Sequence, residues 1–201
     1  MVQKKYWEVL LQHELHYRPN LKVSYKLTPQ HLNPEGYQKM NVRLAEELFS
    51  KQLRVAMVAW QNECIELRDC EPTVRFMDRV DNLIKAMSSR TPETGVQPKE
   101  ECPRRKVIVE FLDYLREWEA KAIEENNRRK QLIRESKRQK IDHNDELGIN
   151  YLAITKSTLT GLKITLAGTI ELLDFLHVQC NFDYLMTARL NQDKLEVSTI
   201  D

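Results

Sequence analysis

The chain has 201 residues; 31 Lys and Arg offset 30 Asp and Glu, leaving a formal charge of +1. That balance excludes a uniformly basic nucleic-acid binder but leaves room for a local basic patch. Hydrophobic residues at 41%, with only 5 glycines and 7 prolines, point to a mostly α fold with one sizeable core or two small ones.

Residues 4–18 read as a helix whose apolar face holds Tyr6, Trp7, Leu10, Leu11, Glu14 and Leu15. Pro19 and Asn20 stop it. Residues 21–27 are an extended piece or a linker. Thr28 then reads as an N-cap with Pro29 at the first helical position, opening a single turn through His31 and Leu32. His31 is expected to cap or pack rather than bind a ligand. A long central helix is expected over 41–67 because its apolar stripe is broad. Pro72 interrupts, Thr73 is a candidate N-cap, and a second helix follows over 74–88.

Residues 89–105 read as a loop. Val107, Ile108, Phe111, Leu112, Leu115 and Trp118 then repeat at helical spacing. The basic run over 126–140 reads as a solvated helix, since no aromatic residues are interleaved as stacking platforms. His143, Asp145 and Glu146 lie in a turn and lack a fourth metal ligand. Ser157 or Thr160 opens a last long helix to Cys180, with Leu159, Leu162, Leu166, Ile170, Leu173, Leu176 and His177 on its face. A brief extended piece follows.

The four cysteines, Cys64, Cys70, Cys102 and Cys180, are too scattered for a zinc knuckle and read as single buried thiols. Neither an apolar leader nor a stretch approaching ~18 apolar residues is present, so the expectation is an intracellular chain with no membrane partner. GxxxxGK[ST], GxSxG, HExxH and paired CxxC are all absent from the sequence. Asp193 and Glu196 stand three residues apart, a spacing that puts both carboxylates on one helical face. Such a pair can hold Mg²⁺ or Mn²⁺ for phosphoryl transfer.

The phrase LNQDKLE at 190–196 resembles the segment that ends the catalytic core of P-element-type DNA transposases, including their THAP-domain relatives. KLTPQHLNP at 26–34 and KMNVRLA at 39–45 resemble the opening of that family's GTP-binding insertion domain. SSR at 88–90 and TGL at 160–162 follow in the family's order, so the resemblance covers about residues 20–196.

The resemblance implies a mostly α fold: a helical insertion domain over 1–150, then its end and an incomplete RNase H-like segment over 151–201. By the same match Glu196 takes the position of the catalytic glutamate and Asp193 that of an acidic neighbour. The two would bind metal only if completed by aspartates from an upstream sheet that this sequence does not contain. Mg²⁺ and GTP are the implied cofactors, with Lys26, Lys39 and Arg43 as candidate phosphate contacts. Lys85 stands where the family pattern has an acid, which opposes guanine recognition. The resemblance further implies DNA as a partner within a larger transposase, nuclear residence, and a fragment inactive in catalysis by itself. The alternative is a helical protein-interaction module or domesticated regulator. Under that reading the apolar stripes over 107–125 and 156–180 each need a neighbour, and self-association follows if no intramolecular partner covers them.

Overall fold

A computed structural model describes residues 3–17, 20, 22–138 and 154–190. Seven α-helices are described: α1 (Lys5–Tyr17), α2 (Pro29–Leu32), α3 (Val42–Glu47), α4 (Lys51–Trp60), α5 (Glu71–Met87), α6 (Pro103–Arg138) and α7 (Lys156–Cys180). No strand occurs among the described residues; the single β-bridge joins Val96 and Leu185. The mostly α fold expected from composition is therefore present. Two compact units divide at Met1–Ser88 and Ser89–Asp201. This division follows compactness, whereas the sequence division at residue 150 follows family order.

In the first unit, α1 packs on α2, on α4 and on the 3₁₀ turn Ile65–Leu67. Tyr6, Trp7, Leu10 and Leu11 meet Leu53, Ala56, Met57, Leu67 and Met77 in its core. One position of the expected α1 face is reversed. Leu15 is 46% exposed, while Glu14 is only 1% exposed. Burying a carboxyl is costly unless hydrogen bonds replace its water. Here the replacements are complete: the backbone N–H groups of Val23 and Ser24 and the Trp60 indole all donate to Glu14 at 3.0–3.1 Å. The Ser24 hydroxyl donates as well. These bonds hold the 22–27 segment and α4 against α1.

The helix expected over 41–67 is divided into α3, α4 and the 3₁₀ turn. The reason lies in α1. The Trp7 indole donates to the Leu48 carbonyl at 2.9 Å, taking an acceptor that a continuous helix would use internally. Ser50 then adopts ψ 153°, and α4 starts at Lys51. Tyr6 donates similarly to the Asp69 carbonyl at 3.0 Å, just ahead of α5. The helix expected over 74–88 starts earlier, at Glu71, with Pro72 in its first turn. Thr73 is consequently a buried residue of α5 rather than its cap.

The second unit is a helical hairpin of α6 and α7. Ile108, Phe111, Leu112, Leu115 and Ala122 of α6 are buried, as are Leu159, Leu166 and Leu173 of α7. Arg105 grips Asp174 with a two-pronged pair at 2.6 and 3.0 Å, and Lys163 pairs with Glu119 farther along. The cap of α7 is Thr155, whose hydroxyl accepts from the Thr158 N–H at 3.1 Å, in place of the expected Ser157 or Thr160. The two stripes said to need neighbours cover one another, which removes the sequence-based reason for self-association through them.

The base of the hairpin is stitched. Val96 and Leu185 exchange backbone hydrogen bonds at 2.9 and 2.8 Å. Ser89 and Thr187 are both buried and bond reciprocally: each backbone N–H donates to the other's hydroxyl, at 3.1 and 3.0 Å. Gly95 lies so close to Tyr184 that an added Cβ would stand 2.9 Å from its ring. The chain thus leaves and rejoins one point across 98 residues.

Glu14→Ala is expected to destabilise the protein by about 2–5 kcal/mol, because four buried or partly buried donors lose their acceptor. Leu15→Ala is expected to stay within about 0.5 kcal/mol. Chemical unfolding of both variants checks the assignment of the buried face.

Candidate nucleotide-contact surface

The turn that carries Lys26 is placed by Glu14, and the segment carrying Arg43 begins with a conventional cap. Asn41 precedes α3 and its side chain accepts from the Arg43 N–H at 3.1 Å. One turn later comes Glu47, the residue on which the local charges converge. Arg43 Nε lies 3.1 Å from Glu47 Oε1, and Lys26 Nζ lies 3.8 Å from the same oxygen. His31 Nε2 lies 3.0 Å from Glu47 Oε2.

His31 is buried and fulfils the expected capping role. Its Nδ1 accepts from the Thr28 backbone N–H at 3.2 Å, which assigns the proton to Nε2 and makes that nitrogen the donor to Glu47. The His31 hydrogen bond is the main cause holding the Glu47 carboxyl below its ordinary pKa; partial burial opposes it, and Arg43 and Lys26 add to it.

Two of the three phosphate candidates, Lys26 and Arg43, are therefore brought together, already facing an anion of the protein's own. Lys39 lies exposed on a separate 3₁₀ turn, Gly36–Met40, and enters no ion pair among the described residues. Asp193 and Glu196 lie outside the described residues, as do His143, Asp145 and Glu146. Among the described residues no cluster of three or more His, Cys, Asp or Glu has the disposition of a metal site. Cys64, Cys70 and Cys102 are buried as expected; Cys180 is exposed.

Lys85 sits in the last turn of α5, with Nζ 2.7 Å from Asp81 Oδ2. That oxygen also receives Arg54 Nη2 at 3.0 Å, and Asp78 Oδ1 lies 3.2 Å from the same Arg54 nitrogen. Arg54 Nη1 donates in turn to the Met77 carbonyl at 3.2 Å. The acid nearest Lys85 is thus committed to holding α4 on α5. A groove of about 1030 Å³ between α1 and the 63–66 turn is lined by residues such as Gln12, His16 and Glu63 and by none of the three candidates.

Glu47 itself was not singled out by sequence reasoning. The trace available was its i, i+4 spacing from Arg43; the His31 and Lys26 contacts depend on how the 24–32 segment folds back. In the basic stretch of α6, Arg128 and Arg129 both pair with Glu125, at 3.1 and 3.3 Å. The described part of that stretch is helical, in keeping with the solvated-helix reading.

Residues 3–100 match the family model of the TNP-like, GTP-binding insertion domain. This segment, just under half of the chain, is similar to that insertion domain. The fold carries the same likeness over a longer span. A solved structure described as the Drosophila P element transposase strand transfer complex matches with a TM-score of 0.58 at 19% identity. The match covers 94% of this chain, and the chain spans 38% of that transposase chain. No curated protein matches the sequence. The insertion-type segment thus contains α1 to α5, the Glu47 cluster and the Arg54–Asp81–Lys85 network. No helix among the described residues is long and apolar enough to cross a membrane.

Because the Glu47 pKa is lowered in the fold, its contribution to stability is fully present above the unfolded value near 4.5 and is lost as pH falls through the folded value. Glu47→Gln is expected to cost about 0.5–1.5 kcal/mol at pH 7. The difference from wild type should shrink below about pH 4. Urea unfolding at a series of pH values checks both the cost and its direction.

Proposed function

We propose that this chain is the helical insertion portion, with the start of the following RNase H-like segment, of a P-element-like DNA transposase. The observation carrying this reading is the match of residues 3–100 to the transposase insertion domain. The likeness to a transposase solved in a strand transfer complex supports it, as does a hairpin that leaves and rejoins one point at Ser89 and Thr187. In this reading the chain acts on DNA as part of a larger nuclear transposase assembly.

The 201-residue chain by itself is catalytically silent. In-line attack on a phosphodiester by the two-metal route needs a set of carboxylates that neutralises and positions both ions. Glu196 and Asp193 are the only members of such a set that the family phrase supplies here. They would serve as metal ligands once aspartates from elsewhere complete the site.

Nucleotide is held weakly and without preference for guanine. Lys26 and Arg43 provide positive charge for a triphosphate, yet Glu47 already neutralises them in place. Guanine selectivity requires an acceptor for the ring N–H donors. Lys85 is a donor, and the nearby Asp81 oxygen is engaged by Lys85 and Arg54. An unmet pairing of this kind costs about 1–3 kcal/mol, or roughly tenfold in affinity per 1.4 kcal/mol.

Calorimetry at physiological ionic strength is expected to show equal, weak affinity for GTP and ATP that fades as salt rises. A micromolar, salt-insensitive preference for GTP would contradict this part of the proposal. Incubation of the purified chain with Mn²⁺ and labelled transposon-end DNA is expected to give neither cleavage nor strand transfer; either product would refute catalytic silence.

A further inference from the structure

α7 is apolar on two opposite sides. Leu159, Leu166 and Leu173 are buried on the side of α6. Half a turn away, Gly161, Ile164, Gly168, Glu171, Phe175 and Val178 follow one another at steps of three and four, which places them on a single stripe. This stripe is open: Ile164 is 67%, Phe175 59% and Val178 70% exposed. Phe182, four residues beyond Val178 and just past the helix end, is also exposed. A Cβ built on Gly161 or Gly168 meets no atom within 4 Å. Among the described residues no neighbouring group crowds these two helical positions, where alanine would be the better helix former.

We propose that this stripe seats a second copy of the chain, with the two α7 helices antiparallel about a two-fold axis near Glu171 and Leu172. The stripe has small residues in its N-terminal half and bulky ones in its C-terminal half. Antiparallel pairing sets Phe175 and Val178 of each copy along the glycine-containing half of the other, matching bulk to gap twice over. Parallel pairing would set glycine on glycine at one end and phenylalanine on phenylalanine at the other. The spacing of three and four is the one that interlocks knobs with holes, and a two-fold contact must be self-complementary.

The area sets the strength. The 25 residues of α7 span about 37 Å. A stripe about 10 Å wide then buries on the order of 800 Å² across both copies, below the ~1,200 Å² of stable complexes. The pair is accordingly reversible, with a dissociation constant on the order of 0.1–1 mM. Glu171 is the one charged residue of the stripe and lies near the axis, so the two copies bring like charges together. Salt relieves that repulsion, and association strengthens as ionic strength rises.

Sedimentation equilibrium of the full chain up to about 1 mM tests this. Wild type should show reversible dimerisation, tighter at higher salt, and Glu171→Gln should tighten it several-fold. Phe175→Glu, on an exposed position, should leave the melting temperature unchanged and abolish the dimer. Gly168→Leu should raise the melting temperature of the monomer while weakening association. Monomeric wild type and Glu171→Gln over the whole range would overturn the proposal. So would a dimer that survives Phe175→Glu.

Discussion

The first unit depends on a carboxyl buried where the helical pattern expects a hydrocarbon. Glu14 collects hydrogen bonds from the turn at Val23 and Ser24 and from Trp60 at the end of α4. A leucine at this position would pack but could not satisfy those donors. Because Ser24 is fixed, the turn through Lys26 and Leu27 is fixed, and the short α2 with His31 begins in a defined place. Because Trp60 is fixed, the end of α4 is held against α1. Lys26 thus stands on a turn whose position is determined from below by one polar side chain.

Above that support the charges are arranged to be neutral. Glu47 takes Lys26, Arg43 and His31 at its two oxygens, and Asp81 takes Arg54 and Lys85 at one. These are partly sheltered pairs, so the positive charge that the sequence displays is not free charge. A phosphate arriving at Lys26 and Arg43 must compete with a carboxylate that holds its proton less readily than usual. This is the physical basis for the weak nucleotide binding proposed above for a segment that matches a GTP-binding insertion domain. In the second unit the two-pronged Arg105–Asp174 pair and the Ser89–Thr187 stitch hold the hairpin closed at its base.

Helical periodicity made most of the helices legible in the sequence, since a 3.6-residue apolar repeat depends only on neighbours along the chain. What it could not show were the places where distant groups override it. The break at Leu48 to Ser50 is made by Trp7, 41 residues away in sequence, and the carbonyl ahead of α5 is taken by Tyr6 from 63 residues away. Leu15 left the expected face while Glu14 stayed buried on it, because the partners that make Glu14 burial favourable lie in other segments. Of the candidate site, the family phrases named Lys26, Lys39 and Arg43 as phosphate candidates, while Glu47, the anion that gathers Lys26 and Arg43, was hidden. Ser89 stands in the phrase at 88–90, while Thr187 precedes the phrase at 190–196, and neither indicates that the two bond.

The central claim is that Glu47 occupies, as an internal anion, the charge that a bound triphosphate would use. Substituting Glu47→Gln and titrating GTP and ATP by calorimetry at physiological ionic strength tests it most directly. The account predicts that both affinities rise together, by roughly tenfold for about 1.4 kcal/mol of released competition. Unchanged or lowered affinity for both nucleotides, in a variant that remains folded, would contradict it.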